Sequence, residues 1–203
     1  MNKYKMEETF NKRIDRVEKI VKEADDSDRV NINIYDLIAY SLVSNQPENK
    51  VGNDYYSIMS TILEIHNEND QVSFHGDLFK AIINYMETKS LPIELNEMLT
   101  DIYLLHNRKE ELKNIISNNQ YDKKDKRIIF EKYNYLDNAI KDTIDRINYL
   151  DDETDYLESD FEPPFVCCVI SGGHTNLIYV KNYDDFETLL DFHLQIKSFD
   201  KLL

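Results

Sequence analysis

The stretch from Ile128 to Ile147, IIFEKYNYLDNAIKDTIDRI, is the natural place to begin. Ile129, Tyr133, Leu136, Ile140, Ile144 and Ile147 recur at intervals of three and four, with charged and amide side chains filling most of the positions between. That period places one apolar stripe on a long helix and leaves the remaining face to water. The four cations just before it, Lys123, Lys124, Lys126 and Arg127, could mark a nucleic-acid patch. In an acidic chain they read instead as a solvated loop beside Glu and Asp partners.

Moving toward the N-terminus, the same period repeats. Met6, Phe10, Ile14, Val17, Ile20 and Val21 form one face of an amphipathic helix that should stop in the polar cluster Ala24-Asp25-Asp26-Ser27-Asp28, whose short side chains compete with the helical backbone. A second helix is expected over Ile34–Val43, ending before Pro47, and a third over Tyr55–His66 with Asp54 as its cap. Gly76-Asp77 opens another, with Leu78, Phe79, Ile82, Ile83 and Met86 as its apolar face. Pro92 suits the first turn of the next. Between Leu95 and Ile116, Asn107 is read as a turn between two helices, a tetratricopeptide-like spacing; a single such unit cannot bury a continuous core, so the likeness is read as coincidence.

Moving toward the C-terminus, the period breaks. Residues 151–162 carry seven acidic side chains and no Lys or Arg, and Pro163-Pro164 follow, so the helical part, residues 1–150, is expected to end at an acidic linker. A metal-binding role for this run is disfavoured, because it lacks the spaced ligands and glycine turn of a calcium loop. Residues 163–203 then hold a β-hairpin and a short C-terminal helix. Phe165-Val166-Cys167-Cys168-Val169-Ile170 is a continuous apolar run, Ser171-Gly172-Gly173-His174-Thr175 a turn, and Asn176-Leu177-Ile178-Tyr179-Val180 a second strand. The fold class is therefore mainly α, a helical bundle or irregular helical array with a C-terminal hairpin.

Composition excludes several functions. A chain of 203 residues can bury a core without covalent staples. Cys167 and Cys168 then read as buried strand residues in a reducing compartment. No apolar run approaches the roughly 20 residues of a membrane span, and Met1–Phe10 has the pattern of neither a secretory signal nor a transit peptide, so the expectation is cytoplasmic. With 39 acidic against 24 basic residues, the net charge of −15 disfavours nucleic acid and any partner that must be gripped through phosphates. It leaves open an acidic decoy that occupies a basic nucleic-acid channel. The 14 tyrosines, such as Tyr103 and Tyr133, read as core or interface packing.

The turn is the one segment with a chemical logic of its own. Paired glycines take positive φ and present successive backbone N–H groups, while Ser171, His174 and Thr175 add side-chain donors at the same place, an arrangement that suits phosphate. A hairpin uses Gly-Gly for steric reasons as well. As a whole, Pro163–Val180 resembles the TsaD (Gcp) family of tRNA threonylcarbamoyladenosine transferases, and a weaker likeness continues to Leu190. The resemblance implies that Ser171, Gly172, Gly173, His174 and Thr175 are the phosphate-holding turn of a hairpin taken from an actin-like ATPase sheet, with ATP or another adenine nucleotide as its ligand. It also implies a metal held by two histidines with three residues between them on a helix ahead of the hairpin, plus a distant aspartate. Among His66, His75, His106, His174 and His193 no two have that spacing, so no metal ligand and no catalytic residue is assigned.

These readings favour a non-catalytic helical interaction or regulatory protein, with a protein partner, carrying a truncated and degenerate TsaD-like hairpin. A nucleotide-binding relative that acts with a partner is the first alternative. An acidic nucleic-acid mimic of the phage anti-defence kind is the second.

Overall fold

The computed structural model describes residues 3–44, 53–65, 70–117, 122–153, 165–171, 174–180 and 182. Six helices and four strands are present among them: α1 (Lys3–Glu23), β1 (Arg29–Asn33), α2 (Ile34–Ser44), α3 (Asn53–Ile65), β2 (Gln71–His75), α4 (Gly76–Thr88), α5 (Ile93–Ser117), α6 (Lys123–Glu153), β3 (Phe165–Ser171) and β4 (His174–Val180). The protein is mainly α, as its periodicity implies. The strands form two separate antiparallel pairs, β1 with β2 and β3 with β4.

Helix α2 sits at the centre because its sequence, Asp36 and two serines apart, is apolar on every side. Ile34 through Ser41 are all buried, the behaviour of a helix with no face to give to water. Around it pack the apolar faces of its neighbours: Val17 of α1, Ile58 and Ile62 of α3, Phe79, Ile82 and Met86 of α4, Leu95, Leu99 and Ile102 of α5, and Ile140 and Ile147 of α6. The Ser60 hydroxyl donates to Asn148 Oδ1 at 2.8 Å and ties α3 to α6.

The β1–β2 pair was not evident from periodicity. Each strand has only five residues, and the alternation of buried and exposed positions, Val30 and Ile32 against Val72 and Phe74, is too short to stand out beside the helical period. Each strand runs without a loop into a helix, β1 into α2 and β2 into α4. The register Arg29↔His75 to Asn33↔Gln71 is extended by one hydrogen bond at either end. The Ile34 N–H donates to the Asp70 carbonyl at 2.8 Å, and the Gly76 N–H donates to the Asp28 carbonyl at 2.9 Å. The first N–H of each helix, which has no partner within its own helix, is thus taken by the residue that precedes the opposite strand. Asp70 reaches this position at φ 55, left-handed backbone that Asp tolerates better than most residues.

Several expected boundaries move. Asn107 is not a turn: α5 runs unbroken through it, because Asn107 is itself buried after Leu99, Ile102, Tyr103 and His106, and Leu112 continues the burial past that point. Helix α3 begins at Asn53, so Asp54 lies inside it rather than capping it. Pro92 stands one residue ahead of α5 and accepts its first bond, from the Asn96 N–H at 2.8 Å. Lys123, Lys124, Lys126 and Arg127 belong to the opening turns of α6 and not to a loop, since Asp122 caps that helix by accepting from the Lys124 and Asp125 N–H groups, both at 2.8 Å. The acidic run contributes its first three residues to the end of α6. Residues 154–162, and the short C-terminal helix expected beyond the hairpin, lie outside the described residues.

Candidate functional site

The two cores of apolar sequence after Pro164 form β3 and β4 in the register Phe165↔Val180, Val166↔Tyr179, Cys167↔Ile178, Cys168↔Leu177, Val169↔Asn176, Ile170↔Thr175 and Ser171↔His174. Ser171 and His174 are therefore paired across the head of the hairpin, and only the two positions 172 and 173 separate them in sequence. That spacing belongs to a two-residue hairpin, where positive φ is demanded at one or both central positions and Gly-Gly satisfies it. Thr175 is the next partner down the ladder, opposite Ile170. The ladder thus brings Ser171, His174 and Thr175 to one end of the hairpin, while Gly172 and Gly173 lie outside the described residues. The hairpin does not stand alone in the fold: both of its strands lie along α3 and α4.

A second polar constellation, missed in the sequence, lies where α1, α2 and α5 meet. Asp36 is buried in the first turn of α2. Arg13 Nη1 donates to its Oδ1 at 2.6 Å, while Arg16 donates to both of its oxygens, from Nε and Nη2, at 2.8 Å. The hydrogen bond to Asp36 raises the Arg16 guanidinium above its ordinary value, against the opposing effect of burial. Arg13 also lies 6.0 Å from the centre of the Tyr35 ring and 5.9 Å from that of Tyr103. His106 stacks on Tyr35 with ring centroids 3.4 Å apart, and its Nε2 is 3.4 Å from Arg13 Nη2. Asn33 closes the group, since its side chain accepts from the Tyr35 N–H at 2.9 Å and so caps α2. A signal existed in the sequence: Asp36 is the one carboxylate in an otherwise apolar helix, and Arg13 flanks the apolar face of α1.

This constellation is built to hold helices together. Its carboxylate is saturated by two guanidiniums, and burial pushes the Tyr35 phenol far above its ordinary value, with Asp70 and Asp137 adding to the effect. The phenol, kept neutral by burial, and the carboxylate, saturated by guanidiniums, are both committed to these contacts, and the buried imidazole of His106 is engaged between the Tyr35 ring and Arg13. Among the described residues no group of His, Cys, Asp and Glu side chains is placed to hold a metal ion, and no helix is long and apolar enough to cross a membrane. A shallow cleft of about 320 Å³ between the end of α1 and β1, lined by Ile20, Glu23, Asp28 and Arg29 among others, contains none of the residues expected to bind a ligand.

Comparison with known proteins finds similarity over a short segment of the chain. Thirty residues are 63% identical to the tRNA N6-adenosine threonylcarbamoyltransferases of Cyanothece sp. and Clostridium kluyveri, and 57% identical to that of Clostridium botulinum. The match covers 15% of this chain, and the chain spans only 9% of the length of these relatives. No protein-family model and no solved structure matches the chain. A short segment similar to the TsaD enzymes is thus present, as the turn and its flanking strands suggest, on a mainly helical chain.

Proposed function

We propose that this chain is a non-catalytic helical interaction or regulatory protein, acting on a protein partner in the cytoplasm and carrying a degenerate TsaD-like phosphate hairpin. The proportion of the match carries this reading: the chain spans 9% of the length of the transferases, a match of 30 residues that is too short to hold more than one hairpin and its flanks. A single turn offers phosphate donors from one side, whereas phosphoryl and acyl transfer need several groups converging on the developing charge. A two-stranded hairpin is marginal in water by itself, and contact of β3 and β4 with α3 and α4 supports a role in which the hairpin is held as part of a larger surface.

The second reading, a nucleotide-binding relative that works with a partner, is favoured by one observation. The Ser171↔His174 pairing leaves only Gly172 and Gly173 between the two strands in sequence, beside residue types that can donate to phosphate. Calorimetric titration with ATP and magnesium, with Gly173→Val as the control, separates the two. Our reading expects no saturable heat at millimolar nucleotide and the same flat trace for the variant. Saturable binding that vanishes in Gly173→Val would replace it with the second.

A further inference from the structure

The outer halves of α5 and α6 form an arm. Leu95, Leu99, Ile102 and Leu105 of α5, and Ile140, Ile144 and Ile147 of α6, belong to the core or pack on it. Leu112, Ile115, Ile129, Tyr133 and Leu136 do not; Leu112 is nonetheless buried, covered within the helix pair. Lys109 links the two helices, with its ammonium on Asp137 and 5.2 Å from the Tyr133 ring centre. From Leu105 to Ser117, at 1.5 Å per residue, the arm reaches about 18 Å past the core.

The tip of this arm reverses the sign of the protein. The described residues at this end, 113–117 and 122–127, carry five cations against two carboxylates in a chain whose total is −15; Lys113 pairs with Glu110 and Arg127 with Glu131, each at 3.3 Å. Three of these cations, Lys123, Lys124 and Lys126, pair with no carboxylate among the described residues, and all three stand in the opening turn of α6. There the helix dipole already presents positive charge, so cations are disfavoured for the stability of the helix itself. The argument from net charge against a phosphate partner is one about averages. At physiological salt, charges further apart than about 8 Å are largely screened, so Asp151–Glu153, roughly 40 Å away at the other end of α6 at 1.5 Å per residue, do not cancel the charge of its opening turn.

The solvent face of the same helix adds an aromatic ring. Lys123, Arg127 and Phe130 follow one another at helical spacings of four and three, on one exposed stripe. Phe130 is 53% exposed, with its ring nearly parallel to that of Tyr133 at 6.4 Å between centroids. Cations that track a phosphate backbone, interleaved with a ring on which a base can stack, are the components of single-strand recognition, and unpaired bases offered to aromatic side chains are chiefly a property of RNA.

We infer that the tip of the α5–α6 arm is a binding surface for single-stranded RNA, with Lys123, Lys124 and Arg127 on phosphates and Phe130 under a base. The surface is separate from the β3–β4 hairpin. Its test is fluorescence anisotropy of the full chain with a labelled single-stranded RNA of about a dozen nucleotides, titrated between roughly 50 and 200 mM salt. For these three phosphate contacts, log K against log salt should fall with a slope near −2. The triple variant Lys123→Glu, Lys124→Glu, Arg127→Glu should lose more than tenfold and flatten the slope. Phe130→Ala should lose about tenfold with the slope unchanged, the signature of stacking. Lys19→Glu with Lys22→Glu, on the body, serves as the charge control and should bind as the parent does, and circular dichroism confirms that each variant is folded. Absence of binding at low salt, binding indifferent to the arm variants, or equal affinity for polyglutamate, which would make the occupant an acidic polypeptide, each overturns the inference.

Discussion

At the scale of single residues, Asp36 shows why a buried carboxylate is tolerated. Its desolvation is offset by Arg13, only 12% exposed, and by the more exposed Arg16. Replacing Asp36 with Ala leaves the Arg13 charge buried without a counter-ion, a class of change that costs about 3–5 kcal/mol. Urea denaturation should show that loss, and the double variant Arg13→Met, Asp36→Leu should recover most of it, since an apolar pair of similar volume removes both charges together. A small recovery would mean that the knot also fixes the relative orientation of α1 and α2. Tyr40 carries a second residue-scale consequence. Burial, followed by its hydrogen bond to Glu87, pushes its phenol up to about 12, while an unfolded tyrosine titrates near 10. A raised phenol favours the neutral form in the fold, so its stabilising contribution is complete below about pH 10 and is lost as pH rises through about 12. Phenolate absorbance and far-ultraviolet circular dichroism should therefore change together in that window, with no loss of helix below it.

At the scale of elements, the junction of β2 and α4 turns on one glycine. A Cβ on Gly76 would lie 2.0 Å from the Asp25 carbonyl oxygen, and that backbone is held close because the Asp77 N–H donates to the Asp26 carbonyl at 3.1 Å. Helix propensity alone would make Gly76→Ala stabilising by about 1 kcal/mol. The clash decides the sign, and a net loss of about 3 kcal/mol, the upper part of the range for overpacked sites, should appear in thermal or urea unfolding. The pattern of Phe79, Ile82 and Met86 made α4 and its start at Gly76 readable from sequence, and the polar run 24–28 marked where α1 stops. What sequence could not convey was that these two places touch. The β1–β2 ladder joins segments some forty residues apart through two short strands, and backbone hydrogen bonds of that kind leave no composition behind. Asn107 failed in the opposite direction: a residue common in turns sits inside α5 because burial of the surrounding face outweighs its local preference. At the hairpin, the flanking strands and Gly-Gly were legible because alternation of residue class and turn chemistry act within a few residues. The Arg13–Asp36 knot was not, because it depends on three helices meeting.

At the scale of the whole molecule, charge and connectivity say different things. The total of −15 belongs to the whole chain, −9 of it to residues 151–203, while the arm and its cationic tip show that a strongly acidic chain can present a local surface of the other sign. Connectivity is governed by the ladder ends, where the first N–H of α2 rests on Asp70 and that of α4 on Asp28. Neither strand–helix unit can complete its own hydrogen bonding. During synthesis, β1 and α2 leave the ribosome first and then wait for β2, about forty residues later, an interval of roughly 2–8 s at ordinary elongation rates of 5–20 residues per second. Through that interval the largely apolar helix α2 still lacks the later elements that close over it. The nascent chain is thus most in need of a chaperone before β2 has been made, and codons that slow translation between Ser44 and Asp70 would lengthen that exposure.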